Sequence, residues 1–257
     1  MPDPARPPAI SAVVPAFNEV AVIAGVATRV DAALRAAGVA AHEVVVVDDG
    51  SSDGTGAAVE ALGIAAVRVV RHSRNRGYGA ALRTGFESAV HDTVWLLDGD
   101  GQFDPADLPR LLAAWRPSSY VIGVRAKRQD SRMRRLNHAA FFALVRAVVG
   151  PTTTDVNCAF RLFPRRLGVG LHFDGALVST EMAVRARHEG MPIVEVVIPH
   201  HARLAGVATG AKPQVILRAF GELWRIRRMT TGGGDPWAGA VPADPAVDRT
   251  GQRSSGG

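Results

Sequence analysis

Thr93-Val94-Trp95-Leu96-Leu97-Asp98-Gly99-Asp100-Gly101-Gln102 decides how this chain is read. An apolar strand runs straight into two aspartates two positions apart, with glycine between and after them. Alternate side chains of a strand share a face, so both carboxylates are expected on one side, and glycine lets the backbone approach a ligand closely. A hard divalent ion such as Mg²⁺ or Mn²⁺ accepts one or two carboxylates and completes its shell with water and a diphosphate. The spacing therefore points to Asp98 and Asp100 as metal ligands beside a nucleoside diphosphate.

Working outward, valine- and isoleucine-rich runs alternate with longer alanine-rich stretches, the pattern of parallel strands joined by crossover helices. Strands are predicted near Ile10 to Val14, Glu43 to Val47, Val67 to Val70, Thr93 to Leu97 and Tyr120 to Val124. Helices are predicted over Val20 to Ala37, Gly54 to Leu62, Tyr78 to Ala89 and Ala106 to Trp115, the last with Asp104 as N-cap and Pro105 at its first position. The alternation stops after Gly123. Met133 to Gly150 reads as a helix, the next segment as irregular, Thr180 to Glu189 as helical, Ile193 to Ile198 as extended and Gln214 to Arg228 as helical. Ligands of open parallel sheets bind beyond the carboxyl ends of the strands. Three predicted strands end there in acidic or turn-forming groups: Pro15 to Glu19, Asp48 to Thr55 and Asp98 to Gln102. Three such clusters at one edge would repel each other without a cation or donors to hold them.

The 257 residues, 47% of them hydrophobic, suffice for one substantial core. No apolar stretch approaches the roughly 18 to 20 residues of a membrane-spanning helix, and Met1 to Pro8 lacks the apolar run of a secretory signal, so a cytoplasmic address is expected. The single cysteine, Cys158, reads as a small buried hydrophobe. A formal charge of +6, concentrated in Arg125 to Arg135 and Arg218 to Arg228, suits anionic partners. Nucleic acid is not expected, because no aromatic-interleaved basic strand or zinc-finger spacing accompanies these clusters.

Taken together, Pro15 to Glu19, Asp48 to Thr55, Asn75-Arg76-Gly77-Tyr78-Gly79-Ala80-Ala81 and Asp98 to Pro105 resemble glycosyltransferase family 2, in its dolichol- or polyprenyl-phosphate sugar transferase branch, over roughly residues 9 to 228. The resemblance implies an α/β GT-A fold, Rossmann-like, with a mostly parallel sheet flanked by helices. It implies a flexible start at 1–8 and one domain over 9–228, with a nucleotide-sugar-binding half (9–125) and an acceptor-side half (126–228). A disordered tail is expected over 229–257. Pro15, Phe17, Glu19 and Asp49 are expected at the nucleoside, and Asp98, Asp100 and Gln102 at Mg²⁺ or Mn²⁺. Gly77 and Gly79 offer backbone N–H groups to an anion. Arg125, in Gly123-Val124-Arg125, is expected at the diphosphate; Asp155 and Arg161 line the acceptor side or pair with each other.

The segment His200-His201-Ala202-Arg203-Leu204-Ala205-Gly206 resembles the closing loop of the branch, which brings Arg203 to the donor and His201 near enough to be a third metal ligand. Thr209 stands where the branch carries lysine, with Lys212 as a substitute. Asp100, Arg125, Arg203 and Glu181 are the candidate catalytic residues. A lipid-phosphate acceptor is already anionic and needs no strong base; a hydroxyl acceptor of a small molecule or protein needs one, for which Glu181 and Asp155 are candidates. In the lipid reading the protein is peripheral on the inner face of the membrane, with Met133 to Gly150 at an anionic surface and Phe141, Phe142, Leu144 and Val148 inward. Both UDP- and GDP-sugars remain open as donors, and a nucleotide-sugar-binding protein without transfer activity is a third reading.

Overall fold

Consecutive valines and isoleucines build strands buried on both faces, which is what a parallel sheet between helix layers demands. The computed structural model describes residues 9–126, 143, 145–150, 152–175, 177–201, 213–231, 237 and 247–248. The strands are β1 (Ile10–Ala16), β2 (His42–Asp48), β3 (Val67–His72), β4 (Thr93–Leu96), β5 (Tyr120–Arg125), β6 (Arg161–Pro164), β7 (Ile193–Ile198) and β8 (Val247–Asp248). They form one sheet in the order β7-β5-β6-β4-β1-β2-β3-β8. β1 lies between β2 and β4, parallel to both, with Ala16 opposite Asp48 and Val13 opposite Leu96. That register sets the carboxyl ends of three strands side by side.

Helices α1 (Ile23–Ala36), α2 (Thr55–Glu60), α3 (Tyr78–Ser88) and α4 (Leu108–Ala114) make the crossovers. The buried side of α1 is Ile23, Val26, Ala27, Val30 and Leu34, the spacing of a helix covering a sheet. A 3₁₀ turn at Pro105–Asp107 precedes α4, and the Asp104 side chain caps it by accepting from the Ala106 N–H at 3.0 Å, as expected. Cys158 is buried in the main core, again as expected.

The acceptor-side half departs from the expected irregular stretch. β6 enters the sheet antiparallel between β4 and β5, pairing Leu96 with Arg161. Four residues are too few to show a period, so this strand leaves no signal of its own. Helix α5 (Val178–His188) follows, and α6 (Pro213–Thr231) is the last helix among the described residues. A second, smaller core gathers Val145, Val149, Phe173, Leu177, Val184, Leu223, Ile226 and Trp237. The described end of the Met133 to Gly150 segment therefore packs on protein through Val145 and Val149, with Val148 against the same cluster. Phe141, Phe142 and Leu144 lie outside the described residues. Beyond residue 229 the expected structureless tail differs at three described places. α6 runs on to Thr231, Trp237 is buried, and Val247–Asp248 pairs antiparallel with β3.

Arg161 ties these elements together from the interior. It is fully buried, and its guanidinium donates to the carbonyls of Cys158 (2.7 Å) and Val156 (2.8 Å) and to the hydroxyls of Tyr120 (3.0 Å) and Ser179 (2.8 Å). The expected Asp155–Arg161 pair does not form, because Arg161 turns into the core between β5, β6 and α5. Replacing Arg161 with Met strands several buried acceptors, each costing roughly 1 to 3 kcal/mol. The Arg161→Met variant should show a clearly lowered urea midpoint; an unchanged one would contradict this role.

Candidate functional site at the carboxyl ends of the strands

The loops after β1 and β2 are strapped to each other. Asn18, at φ 55°, donates its N–H to Ser51 Oγ (2.9 Å) and accepts from the Ser52 N–H (3.0 Å). Glu19 N–H donates to Thr55 Oγ1 (2.9 Å), and Val20 N–H to Asp53 Oδ2 (3.1 Å). Asp48 accepts from the N–H groups of Ser51 (2.9 Å) and Gly56 (3.1 Å), which fixes the start of α2. Asp48 and Asp53 thus brace the loops, while Asp49 turns toward a cavity. Asp49 accepts from His72 Nδ1 (2.6 Å), Arg76 N–H (2.9 Å) and Gly77 N–H (2.9 Å).

The cavity, of about 400 Å³, is lined by Pro15, Phe17, Glu19, Asp49, Tyr78, Asp98 and Asp100 among others. Phe17 is 40% exposed at its rim, a flat apolar wall open to solvent. Gly99 is where the backbone must come close, since a Cβ there would sit 2.9 Å from the Pro15 carbonyl. Asp98 accepts from the Tyr78 hydroxyl at 3.0 Å, and Asp100 from the Gln102 N–H at 3.0 Å. Burial, and then the neighbouring Asp100 carboxylate, push the Asp98 carboxyl up to about 7; burial and Asp98 push the Tyr78 phenol well above its ordinary value.

This pair suits a divalent cation, whose charge would relieve both the burial and the repulsion. Among the described residues no three His, Cys, Asp or Glu side chains converge as a protein-only metal cluster. The donor set therefore matches an ion that keeps water and phosphate oxygens in its shell.

Residues 11–168 match the profile of Glycosyl transferase family 2. The chain belongs to glycosyltransferase family 2. An undecaprenyl-phosphate 4-deoxy-4-formamido-L-arabinose transferase of Pseudomonas aeruginosa is 35% identical over 190 residues, 72% of this chain and 52% of that protein. The corresponding protein of Pectobacterium carotovorum is 35% identical over 165 residues, 62% of this chain and 49% of its own. This chain thus spans about half the length of the curated relatives it matches. Among solved structures, glucosyl-3-phosphoglycerate synthase from Mycobacterium tuberculosis in complex with UDP superposes with a TM-score of 0.65 at 21% identity, covering 87% of this chain and 81% of that one. Mannosyl-3-phosphoglycerate synthase from Rubrobacter xylanophilus gives 0.60 at 18%, covering 88% and 76%. At such identities the likeness is one of fold, and that fold is GT-A.

Several motif residues of this family 2 glycosyltransferase already have partners within the protein. The Gly77 and Gly79 N–H groups are already taken within the protein: the first donates to the Asp49 carboxylate and the second to the Asp174 carbonyl at 2.8 Å. A Cβ on Gly79 would lie 2.1 Å from the Phe173 carbonyl, so that glycine serves close packing. Arg125 pairs with Asp155 through Nε and Nη2, both at 2.6 Å, and has three further N–H donors to offer. Glu181 is fully buried and is not among the residues lining the cavity. It accepts from the N–H groups of His172 (3.0 Å) and Phe173 (3.2 Å), from His172 Nδ1 (2.9 Å) and from Trp237 Nε1 (3.1 Å). That set of donors makes it a clamp joining α5 to His172, Phe173 and Trp237.

Gln102 and His201 are joined twice: His201 N–H donates to the Gln102 backbone carbonyl (2.9 Å), and the Gln102 side-chain Nε2 donates to the His201 carbonyl (3.1 Å). His201 is exposed, whereas His200 faces inward on Phe103 at 5.0 Å, in the field of Asp100, Asp155 and Arg125. Burial, then Arg125, hold the His200 imidazole below its ordinary range. Arg203, Thr209 and Lys212 lie outside the described residues. His200 and Tyr78 are the site-facing residues that motif reading passed over.

Because the Asp98 carboxyl is held above its ordinary value of 3.8, its contribution to stability is present at low pH and is lost as pH rises through about 7. Asparagine mimics the neutral form and escapes that loss. In EDTA, the melting temperature of Asp98→Asn relative to the unaltered protein should become more positive between pH 5 and pH 8. A difference that stays flat across that range would contradict the assignment.

Proposed function

We propose that this chain transfers a sugar from a UDP- or GDP-sugar to a polyprenyl phosphate at an anionic membrane surface, with inversion, on the cytoplasmic side. The observation that carries the reading is one cavity lined together by the half-buried Asp98, the buried Asp100, and Pro15, Phe17, Glu19 and Asp49. Pro15 and Phe17 flank the base, Glu19 and Asp49 take nucleoside donors, and Asp98, Asp100 and Gln102 hold Mg²⁺ or Mn²⁺. The ion, when bound, neutralises the departing diphosphate. Arg125, steadied by Asp155, turns its remaining N–H donors to the same charge, and Arg203 is assigned there from its motif. His200, which faces inward in the field of Asp100, takes the place of His201 as the imidazole assigned to this site.

The acceptor follows from charge. Both carboxylates first considered as bases are engaged, Asp155 with Arg125 and Glu181 with four donors. A lipid phosphate attacks as an anion and needs neither. The named activity of the Pseudomonas and Pectobacterium relatives, on undecaprenyl phosphate, agrees with this acceptor. No helix among the described residues is long and apolar enough to cross a membrane, so contact with the lipid would be made at the surface. α6 offers such a contact: Trp224 is 53% exposed beside the exposed Arg225, Arg227 and Arg228, while Leu223 and Ile226 face the protein. An amphipathic side chain flanked by arginines suits the head-group region.

Transfer from a nucleotide-sugar to polyprenyl phosphate in mixed vesicles should require Mn²⁺ or Mg²⁺ and fall at least about 100-fold in Asp98→Ala and Asp100→Ala. Turnover that survives chelation and both substitutions would end the proposal. The protein should also sediment with anionic vesicles at low salt and be released by high salt, with weaker binding in Trp224→Ala. Equal binding to neutral and anionic vesicles would remove the surface role.

A further inference from the structure

The turn Gly77-Tyr78-Gly79 is pinned on both sides of its tyrosine. The Gly77 N–H donates to Asp49 at 2.9 Å, and the Gly79 N–H to the Asp174 carbonyl at 2.8 Å. At φ 99°, Gly77 also holds a backbone conformation that residues with a Cβ rarely adopt. Tyr78 opens α3 from between these two anchors, packs against the main core and lines the cavity together with Asp98 and Asp100.

The Tyr78 hydroxyl donates to Asp98 Oδ1 at 3.0 Å, the one hydrogen bond on that carboxylate among the described residues. Asp98 is only half-buried, so packing alone does not fix its side-chain torsions. Asp100 differs, being buried and accepting the Gln102 N–H of its own turn. Of the two acids that follow β4, the first therefore depends for its orientation on a side chain from another element. A small octahedral cation accepts ligands only within narrow limits of distance and angle. A carboxylate already aimed by an outer donor has less freedom to lose on binding, and removing such a donor typically costs about 10- to 100-fold in metal affinity.

We propose that Tyr78 is a positioning residue for the divalent cation: its hydroxyl holds Asp98 in place to ligate beside Asp100, and the anchored glycines on either side fix that hydroxyl. The inference rests on the reading of Asp98 and Asp100 as ion ligands. One short segment then reaches both acids, Gly77 through its N–H to Asp49 and Tyr78 through its hydroxyl to Asp98.

Electron paramagnetic resonance of free Mn²⁺, titrated into the full chain held in excess over UDP and, separately, over GDP, tests this. Tyr78→Phe keeps the ring and removes only the hydroxyl. With whichever nucleotide binds more tightly, the Mn²⁺ concentration at half-saturation should rise about tenfold, while affinity for that nucleotide in EDTA, read by calorimetry, stays within about twofold. Tyr78→4-aminophenylalanine returns an N–H donor to the same place and should restore most of the lost Mn²⁺ affinity, which a packing role would not do. An unchanged or tighter Mn²⁺ affinity in Tyr78→Phe, a nucleotide loss of equal size in EDTA, or no recovery in the amino variant overturns the inference alone. Mn²⁺ binding that is absent from the unaltered protein, or undiminished in Asp98→Ala, overturns the reading of the acid pair and this inference with it.

Discussion

Two carboxyl groups, the half-buried Asp98 and the buried Asp100, are held in one corner where the ends of β1, β2 and β4 converge. Neither can move away: the backbone between them passes so near β1 that only glycine fits at position 99. Their repulsion is set by topology rather than by any local preference. The surroundings answer with the Tyr78 hydroxyl on Asp98 and with the distributed charge of Arg161 and Arg125 nearby. These offset the conflict without removing it, and the Asp98 carboxyl stays raised. A pair strained in this way would gain by binding the cation proposed for it.

The remaining acids along the same edge do different work. Asp48 and Asp53 tie loops together through backbone N–H groups, and Asp49 organises the turn into α3. Crowding of acids at a sheet edge is therefore relieved partly by amides, as well as by whatever cation the Asp98–Asp100 pair attracts. After β4, Asp98 instead takes the Tyr78 hydroxyl and Asp100 the Gln102 N–H.

Much of this was legible in the residues. β1 to β5 and β7 could be placed within a residue or two because valine-rich runs bounded by turns have few other folds open to them, and the cavity-lining Pro15, Phe17, Glu19, Asp49, Asp98 and Asp100 all stood in recognisable strand-end segments. What escaped depended on contacts distant in sequence. Arg161 and Asp155, six residues apart, suggested a pair, but each found its partners across the sheet. Glu181 could not be seen as saturated without knowing that Trp237, 56 positions away, folds back on it. His200 was within reach: along β7 and just past it, Val194, Val196, Ile198 and His200 share one parity and Glu195, Val197 and Pro199 the other, exposed one. Extending that alternation two residues past the strand favours His200 over His201.

The short antiparallel pairing of Val247–Asp248 with Arg71 and His72 has a consequence for handling the molecule. β3 would otherwise be the outermost strand on its side, with a row of amides and carbonyls facing outward, the kind of border to which foreign strands adhere. The downstream segment occupies that border at the very residues that precede the turn over Asp49. Shortening the chain ahead of it would bare a sticky seam immediately behind the nucleoside wall, so clumping and loss of ligand affinity would arrive together.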